Sequence, residues 1–367
     1  MNAPPAAPPQ GESALVAVDR ALSELRRGRA IIVREPNQGR WRMVAPLETA
    51  EPALITYFQA LPGCVLAVTR ERALALHVAG SAADVVELTL PATLTTGQVQ
   101  QLGHEWEVEG WRAVLGAVSA QAGDALALAA VHLTKSAQLL PAVMVTPLTG
   151  GDLPANVQVV GLDEVKRYAQ PLDEDLLRVS EAEVPLRNEA SSRLVLFRDR
   201  RDATEHVAVV VGTPAVTQPV PVRVHSSCFT GDLLGSLRCD CGEQLQTAIQ
   251  RLHDAGSGVL LYLAQEGRGI GLANKLRAHQ LQDEGLDTVD ADRHLGFSAD
   301  ERSYAIAAAI LRSLGIARVR LLTNSPHKVQ ELRARGIDVV AMEKLPGTPN
   351  EHNERYLRTK RERVGHL

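Results

Sequence analysis

The sequence predicts an α/β protein, mixed α+β in detail, built as two domains that are each a mixed sheet with flanking helices. Its 367 residues exceed the usual size of one domain. Short apolar runs typical of buried strands alternate with segments whose apolar residues recur at three- and four-residue spacing. A plain, charged junction follows Leu176, so the chain divides into a disordered tail over 1–11, a first domain over 12–176 and a second over 177–367.

Each element follows from its own residues. The opening MNAPPAAPPQG is rich in Pro and Ala and predicts disorder, and an amphipathic helical pattern begins after it. In the second domain, His206–Val211, Gly258–Tyr262, Ala317–Leu322 and Ile337–Met342 are apolar runs of strand length. Cys241–Leu252, Ile270–Glu284, Ser303–Leu314 and Lys328–Arg335 have helical periodicity, with Gly315 and Gly336 placed as C-terminal stops. No internal repeat of fixed period is present.

Composition excludes several classes of function. Aromatic residues are 3% of the chain, which leaves little material for stacking nucleobases of a polymer, and the formal net charge of -4 argues against a surface that tracks a polyphosphate. Any phosphate site must be local. No apolar stretch approaches the roughly 20 residues needed to cross a bilayer, and the start has neither a basic region nor an apolar core of a signal peptide. A cytoplasmic location is expected, with no membrane and no nucleic-acid polymer as partner.

Cysteine placement is the first chemical signal. Of four cysteines, Cys228, Cys239 and Cys241 fall within one short stretch. In a reducing cytosol, thiolates packed this closely repel one another unless a cation neutralises them, and a soft divalent metal, zinc above all, is the simplest solution. The C-x10-C-x-C spacing differs from the paired C-x2-C knuckles of closed structural sites, so three ligands leave one position for water. Two alternatives stand beside this: a closed site with His225 as fourth ligand, or buried thiols without metal. Cys64, alone in the first domain, is expected in the core.

The stretch Arg223-Val-His-Ser-Ser-Cys228, followed by Thr230-Gly-Asp232 and Leu237-Arg-Cys-Asp-Cys-Gly242, closely resembles GTP cyclohydrolase II. The resemblance continues in order through Gln265-Glu-Gly-Arg-Gly-Ile-Gly-Leu272, Asn274-Lys275, Leu281-Gln-Asp283, Leu295-Gly-Phe297, Ala299-Asp-Glu-Arg302 and Leu321-Leu-Thr-Asn324, and covers about Pro185 to Leu367. It implies a zinc-dependent hydrolase that converts GTP to formate, pyrophosphate and a diaminopyrimidinone ribosylamine phosphate, the first step towards riboflavin. Zinc, one ion per subunit, lowers the pKa of a bound water from about 15.7 to about 7, making hydroxide available to attack a purine C8. Magnesium is expected with the triphosphate, and a homodimer is expected because related enzymes commonly form one.

The resemblance also distributes roles among residues. The first motif offers Arg223, Val224, His225, Ser226 and Ser227 to the substrate, and Gln244, Glu266, Thr288 and Thr323 match positions that recognise guanine and ribose. Arg223, Arg268, Lys275 and Lys328 supply dispersed positive charge for a triphosphate, and Gly267 belongs to a glycine-rich turn that permits close backbone approach. Asp300 and Arg302 match catalytic positions. In the family's proposed mechanism the arginine attacks the α-phosphate and the aspartate removes its proton, whereas an electrostatic role for the arginine fits the sequence equally well.

Two departures from the family pattern matter. His279 stands where these enzymes usually have a tyrosine that positions the reacting base, and it is shorter and titrates near neutral pH. A variant hydrolase that stops at a formamidopyrimidine is therefore an open alternative, as is a regulator that binds GTP without turnover. Ser227 replaces an acidic residue beside the first cysteine.

Ala21-Leu22 through Arg29-Ala-Ile-Ile-Val33, Met43-Val-Ala-Pro46, Leu66 to Arg72, Thr95-Thr-Gly97 and Ala129-Ala-Val131 to Leu140-Pro-Ala142 resemble the 3,4-dihydroxy-2-butanone 4-phosphate synthase domain often fused ahead of this cyclohydrolase. The chemistry of that synthase needs an acidic cluster and a Gly-His-Thr-Glu to hold magnesium. Here those regions read Arg34-Glu-Pro-Asn-Gln-Gly-Arg-Trp-Arg42 and Ala125-Leu-Ala-Leu128, and aliphatic side chains offer no oxygen to a hard cation. A degenerate, catalytically silent domain is expected.

Overall fold

The computed structural model describes residues 14–78, 83–104, 118–148, 154, 156–186 and 191–365. The expected tail over 1–11 lies outside them. Among the described residues there are two seven-stranded mixed sheets, as the fold class predicts. The first is built from β1 (Ile31–Glu35), β2 (Arg40–Pro46), β3 (Val65–Thr69), β4 (Val85–Thr89), β5 (Ser119–Ala122), β6 (Ala142–Leu148) and β7 (Gln158–Gly161), in the order β5-β4-β3-β6-β2-β1-β7. One face carries the helices Ala14–Arg26, Ala125–Ser136 and Leu162–Ala169 around a core that includes Leu22, Leu126, Leu133 and Val165. The other packs Phe58, Leu66, Leu88 and Met144. Cys64 is half-buried against that second cluster, and burial pushes its thiol up to about 12.

The second sheet joins β8 (Leu176–Glu183), β9 (Ser192–Asp199), β10 (Glu205–Val211), β11 (Val220–Ser226), β12 (Gly258–Leu263), β13 (Arg318–Leu322) and β14 (Asp338–Glu343), in the order β14-β13-β11-β12-β10-β9-β8. Its strands β8, β9, β10 and β12 are antiparallel neighbours, while β12, β11, β13 and β14 run parallel. β11 is buried on both faces up to its last residue, as parallel strands covered by helices are, and Arg223, His225 and the terminal Ser226 are its polar residues. The helices Ala305–Ser313 and Pro326–Ala334 cover one face with Tyr304, Ile310, Leu311 and Leu332, and the helix Cys241–Asp254 covers the other with Ala248 and Leu252.

The four strands and four helices expected in this half are all present, with ends displaced by a residue or two. The plain junction is different: residues 176–183 form the edge strand β8, exposed along nearly its whole length. Charged side chains are how an edge strand discourages pairing with other chains, and they hid the strand from a reading based on apolar runs. Among the described residues, no helix is long and apolar enough to cross a membrane.

Candidate active site

The parallel strands end together, and ligands in α/β sheets bind beyond such carboxyl ends. β11 delivers Ser226, Ser227 and Cys228; the chain then makes a short helical turn over Phe229–Leu233 and returns so that Cys241 opens the helix Cys241–Asp254. The sulfurs of Cys228, Cys239 and Cys241 all lie within 4.8 Å of one another, and those of Cys228 and Cys239 are 3.8 Å apart. Two sulfurs bound to one tetrahedral zinc at about 2.3 Å stand about 3.8 Å from each other, so the thiol group fits that ion. Gly231 closes the cradle: a Cβ there would meet Cys239 Sγ at 2.8 Å and Cys228 Sγ at 3.0 Å, and its N–H donates to Cys228 Sγ at 3.4 Å. Hydrogen bonds from Cys239 and Cys241, aided by the Lys275 ammonium 3.1 Å away, hold the Cys228 thiol far below its usual range and raise the other two.

His225 is turned elsewhere. Its Nε2 lies 3.1 Å from both carboxylate oxygens of Asp232, and its ring stacks on Tyr262 at 5.6 Å. Asp232 also accepts the Cys228 N–H at 2.9 Å and the Tyr262 hydroxyl at 3.0 Å, so this triad braces the first ligand. Among the described residues, no histidine or carboxylate joins the three-sulfur group.

The same cavity is lined by buried cations. Arg223 donates to the Leu322 carbonyl at 3.0 Å and to Gln244 Oε1 at 2.6 Å; burial lowers its pKa to about 10. Lys328 donates to the Val224 carbonyl at 3.0 Å, and burial, with Arg302 and Arg223 close by, pushes its ammonium well below the usual range. Arg302 grips Asp300 through two bonds, Nε to Oδ1 at 2.7 Å and Nη2 to Oδ2 at 2.5 Å. Burial works to raise Asp300, but that guanidinium prevails and holds the carboxyl below its ordinary value. Arg223 Nε, His225 Nδ1 and Ser226 Oγ are buried without a hydrogen-bond partner among the described residues. Each such group costs about 1–3 kcal/mol until a polar ligand meets it. Buried cations with orphaned polar atoms suit a bound polyanion.

The third wall is the turn Glu266–Gly269 and the helix Gly271–Asp283 that follows. Gly267, Gly269 and Gly271 all have positive φ, and so does Arg268 at 61°, a strained conformation costing about 1–3 kcal/mol in a non-glycine residue. That turn aims Arg268 at Asp292 Oδ2, 3.2 Å away. Glu266 accepts from Lys275 Nζ at 2.8 Å and from the Phe229 N–H at 2.6 Å, tying the turn to the cysteine loop. His279 faces the cavity from the helix, and burial, then Arg238 and Lys275, lower its pKa and keep the ring neutral at pH 7. Thr288 and Thr323 line the cavity too.

Every residue expected at the site lines this one cavity except Val224, whose side chain is packed in the core and whose carbonyl alone turns inward to Lys328. Gln244 lines it from beneath: its amide oxygen is taken by Arg223 and its nitrogen donates to Asp240 at 2.5 Å, so it orients Arg223.

A model of the family described as GTP cyclohydrolase II matches residues 177–344. Over the whole chain there is 44% identity to the GTP cyclohydrolase-2 of Azospirillum brasilense, covering 98% of that protein. The chain belongs to the GTP cyclohydrolase II family. The GTP cyclohydrolase-2 of Xylella fastidiosa strain 9a5c is 38% identical over 98% of this chain and 89% of its own length. The riboflavin biosynthesis protein RibBA of Synechocystis is 33% identical over 95% of this chain and 71% of its own. The resemblance seen in the motifs thus extends through both halves, and the cavity belongs to a GTP-hydrolysing enzyme of riboflavin biosynthesis.

Tyr356, Lys360 and Asp292 also line the cavity, although sequence reasoning assigned none of them a role at the site; Tyr356 and Lys360 stand in the C-terminal segment Tyr356-Leu357 and Thr359-Lys360 that resembles the family's ending. Lys360 donates to Asp240 at 2.9 Å and sits 4.2 Å above the Tyr356 ring, so the helix Glu354–Val364 closes one side. The four-residue spacing of Tyr356 and Lys360 on a highly charged helix was the available signal. Asp292 is fully enclosed, and burial, partly opposed by Arg268, lifts its carboxyl to about 7. The folded chain therefore favours the protonated acid, so Asp292 contributes stability below about pH 4 that is lost as the pH rises to about 7. Asp292→Asn is expected to flatten that fall, measured as the melting temperature between pH 4 and 8; an unchanged slope would show that Arg268 keeps Asp292 ionised.

Proposed function

We propose that this cavity performs the family's full reaction, with zinc held by Cys228, Cys239 and Cys241 and with formate, pyrophosphate and the diaminopyrimidinone ribosylamine phosphate as products. The observation that carries the reading is the placement of the three-sulfur group and the Asp300–Arg302 pair in one cavity that also gathers Arg223, Arg268, Lys275 and Lys328. When bound, the ion supplies Lewis acidity that makes water a nucleophile at neutral pH. Arg223, Arg268 and Lys328 hold the triphosphate, and Lys275 keeps Cys228 in its thiolate form. Glu266, Thr288 and Thr323 face guanine and ribose, with His225, Ser226 and Ser227 at the strand end beside them.

Asp300 holds Arg302 charged: burial opposes the guanidinium, but the carboxylate more than offsets it and raises its pKa. That makes Arg302 a clamp on the α-phosphate as negative charge develops, in preference to a nucleophile, which needs a neutral nitrogen. Magnesium with the triphosphate and a homodimeric assembly complete the reading, on the strength of the family resemblance and of hard-cation chemistry. In the first domain, Arg42 takes Glu87 at 2.5 Å and Asp124 at 3.0 Å, and Arg40 pairs with Glu35 and Asp124. Acids neutralised in this way support a domain without synthase activity.

Mass spectrometry of the product made from GTP by zinc-loaded protein tests the proposal, together with a formate assay. One formate per GTP is expected. The neutral His279 supports one rival outcome, a product that keeps the formyl carbon. His279→Tyr is expected to leave the product mass unchanged and to alter kcat by less than about tenfold, or about 1.4 kcal/mol. A formamido product that disappears in His279→Tyr would establish the rival.

A further inference from the structure

The first domain reaches the loop that bears Asp300 and Arg302. Lys135, in the last turn of the helix Ala125–Ser136, places Nζ 2.6 Å from Glu301 Oε1. Glu301 stands between the two residues assigned to catalysis and fixes their backbone. Its carboxylate accepts the Ser298 N–H at 2.7 Å, and its own N–H donates to the Arg268 carbonyl at 3.1 Å. Both partners of the ion pair are sheltered, with side chains 25% and 18% exposed, so solvent screens the pair less than a surface one.

The other end of the loop is held from the same side. Thr69 Oγ1 donates to the Gly296 carbonyl at 2.8 Å, and the fully buried Arg72 donates to the His294 carbonyl at 2.7 Å. Contact is close: a Cβ at Gly296 would stand 2.8 Å from both Thr69 Oγ1 and Pro141 Cγ, and Asn274 Nδ2 donates to the Gln138 carbonyl at 2.9 Å. Leu140 adds an apolar contact within the cluster of Ile270, Leu295 and Phe297.

We infer that the synthase-like domain is a positioning element for the cyclohydrolase centre, in which Lys135 acts through Glu301 to set Asp300 and Arg302. The inference rests on the roles proposed above for those two residues. Asp300 and Arg302 hold chiefly each other, so their place in the cavity is decided by the backbone between them. A displacement of about 1 Å at reacting groups costs about 100-fold in rate, and loss of one brace of several costs a fraction of that.

The full chain with Lys135→Met is expected to lose about tenfold in kcat with KM for GTP within about twofold of the parent and bound metal unchanged. Lys135→Arg restores kcat to within about threefold, because it keeps the charge and reach. Amide hydrogen exchange over residues 298–302 is expected to quicken in Lys135→Met and not in Lys135→Arg. A kcat within about twofold of the parent in Lys135→Met, or a loss confined to KM, overturns the inference while leaving the proposed function standing. If the parent itself does not turn over GTP, the proposed function falls, and unaltered exchange in Lys135→Met would independently overturn the brace.

Discussion

Cys239→Ser is expected to release the metal and to lower formate production by about 1000-fold or more. The size follows from what one sulfur does. A serine hydroxyl at neutral pH stays protonated and is a poor ligand for a soft ion, so the site keeps two thiolates where three are needed. Losing a Lewis acid that shifts the pKa of water by several units removes at least about 4 kcal/mol of transition-state stabilisation, and about 1.4 kcal/mol is a tenfold change in rate. Metal content measured on the purified variant must fall together with activity, and circular dichroism should show the sheets intact, because Cys239 is half-buried at the cavity edge and outside the apolar clusters. Cys64→Ser is the control, since that thiol lies in the first domain against a separate core. A Cys239→Ser protein that keeps a full complement of metal and activity within about tenfold would falsify the three-sulfur centre.

Much of this site was legible in the sequence, for a physical reason. Metal ligation and phosphate approach demand particular residue types at short spacing, so Cys228, Cys239, Cys241 and the glycines after Glu266 announce themselves locally. β12 announces itself as well, because burial makes Gly258–Leu263 an unbroken apolar run, whereas β11, interrupted by Arg223 and His225, did not stand out as a strand. What the sequence withheld is what packing over long separations decides. Lys360 meets Asp240 across 120 residues, and Thr69 meets Gly296 across 227. No spacing rule signals such pairs. Val224 shows the converse: it sits inside a functional motif, yet strand alternation turns its side chain into the core between Arg223 and His225. The edge strand β8 was hidden by the charges that protect it.

Asp300→Ala is expected to lower kcat by about 100- to 1000-fold with KM for GTP changed by less than about threefold. The asymmetry follows from the position of the pair. Arg223 and Lys328 stay in place to bind ground-state phosphates, whereas Arg302 loses both bonds that aim its guanidinium. Removing one partner of a buried ion pair also leaves a charge uncompensated, at about 3–5 kcal/mol, so the melting temperature must be followed with the kinetics. Asp300→Asn separates the two effects. It keeps a side chain of the same shape that can still accept one bond from Arg302, but it lacks the second acceptor and the negative charge of the carboxylate, while Arg302 stays protonated. If electrostatic clamping is the role, Asp300→Asn should recover part of the rate lost in Asp300→Ala and melt closer to the parent, because Arg302 stays charged and keeps one aiming bond; an Asp300→Asn protein as slow as Asp300→Ala would point to the carboxylate as a base. A slow variant that still releases pyrophosphate but not formate would instead place the pair's work at ring opening, and rates of Asp300→Ala within about threefold of the parent would remove it from the chemistry altogether.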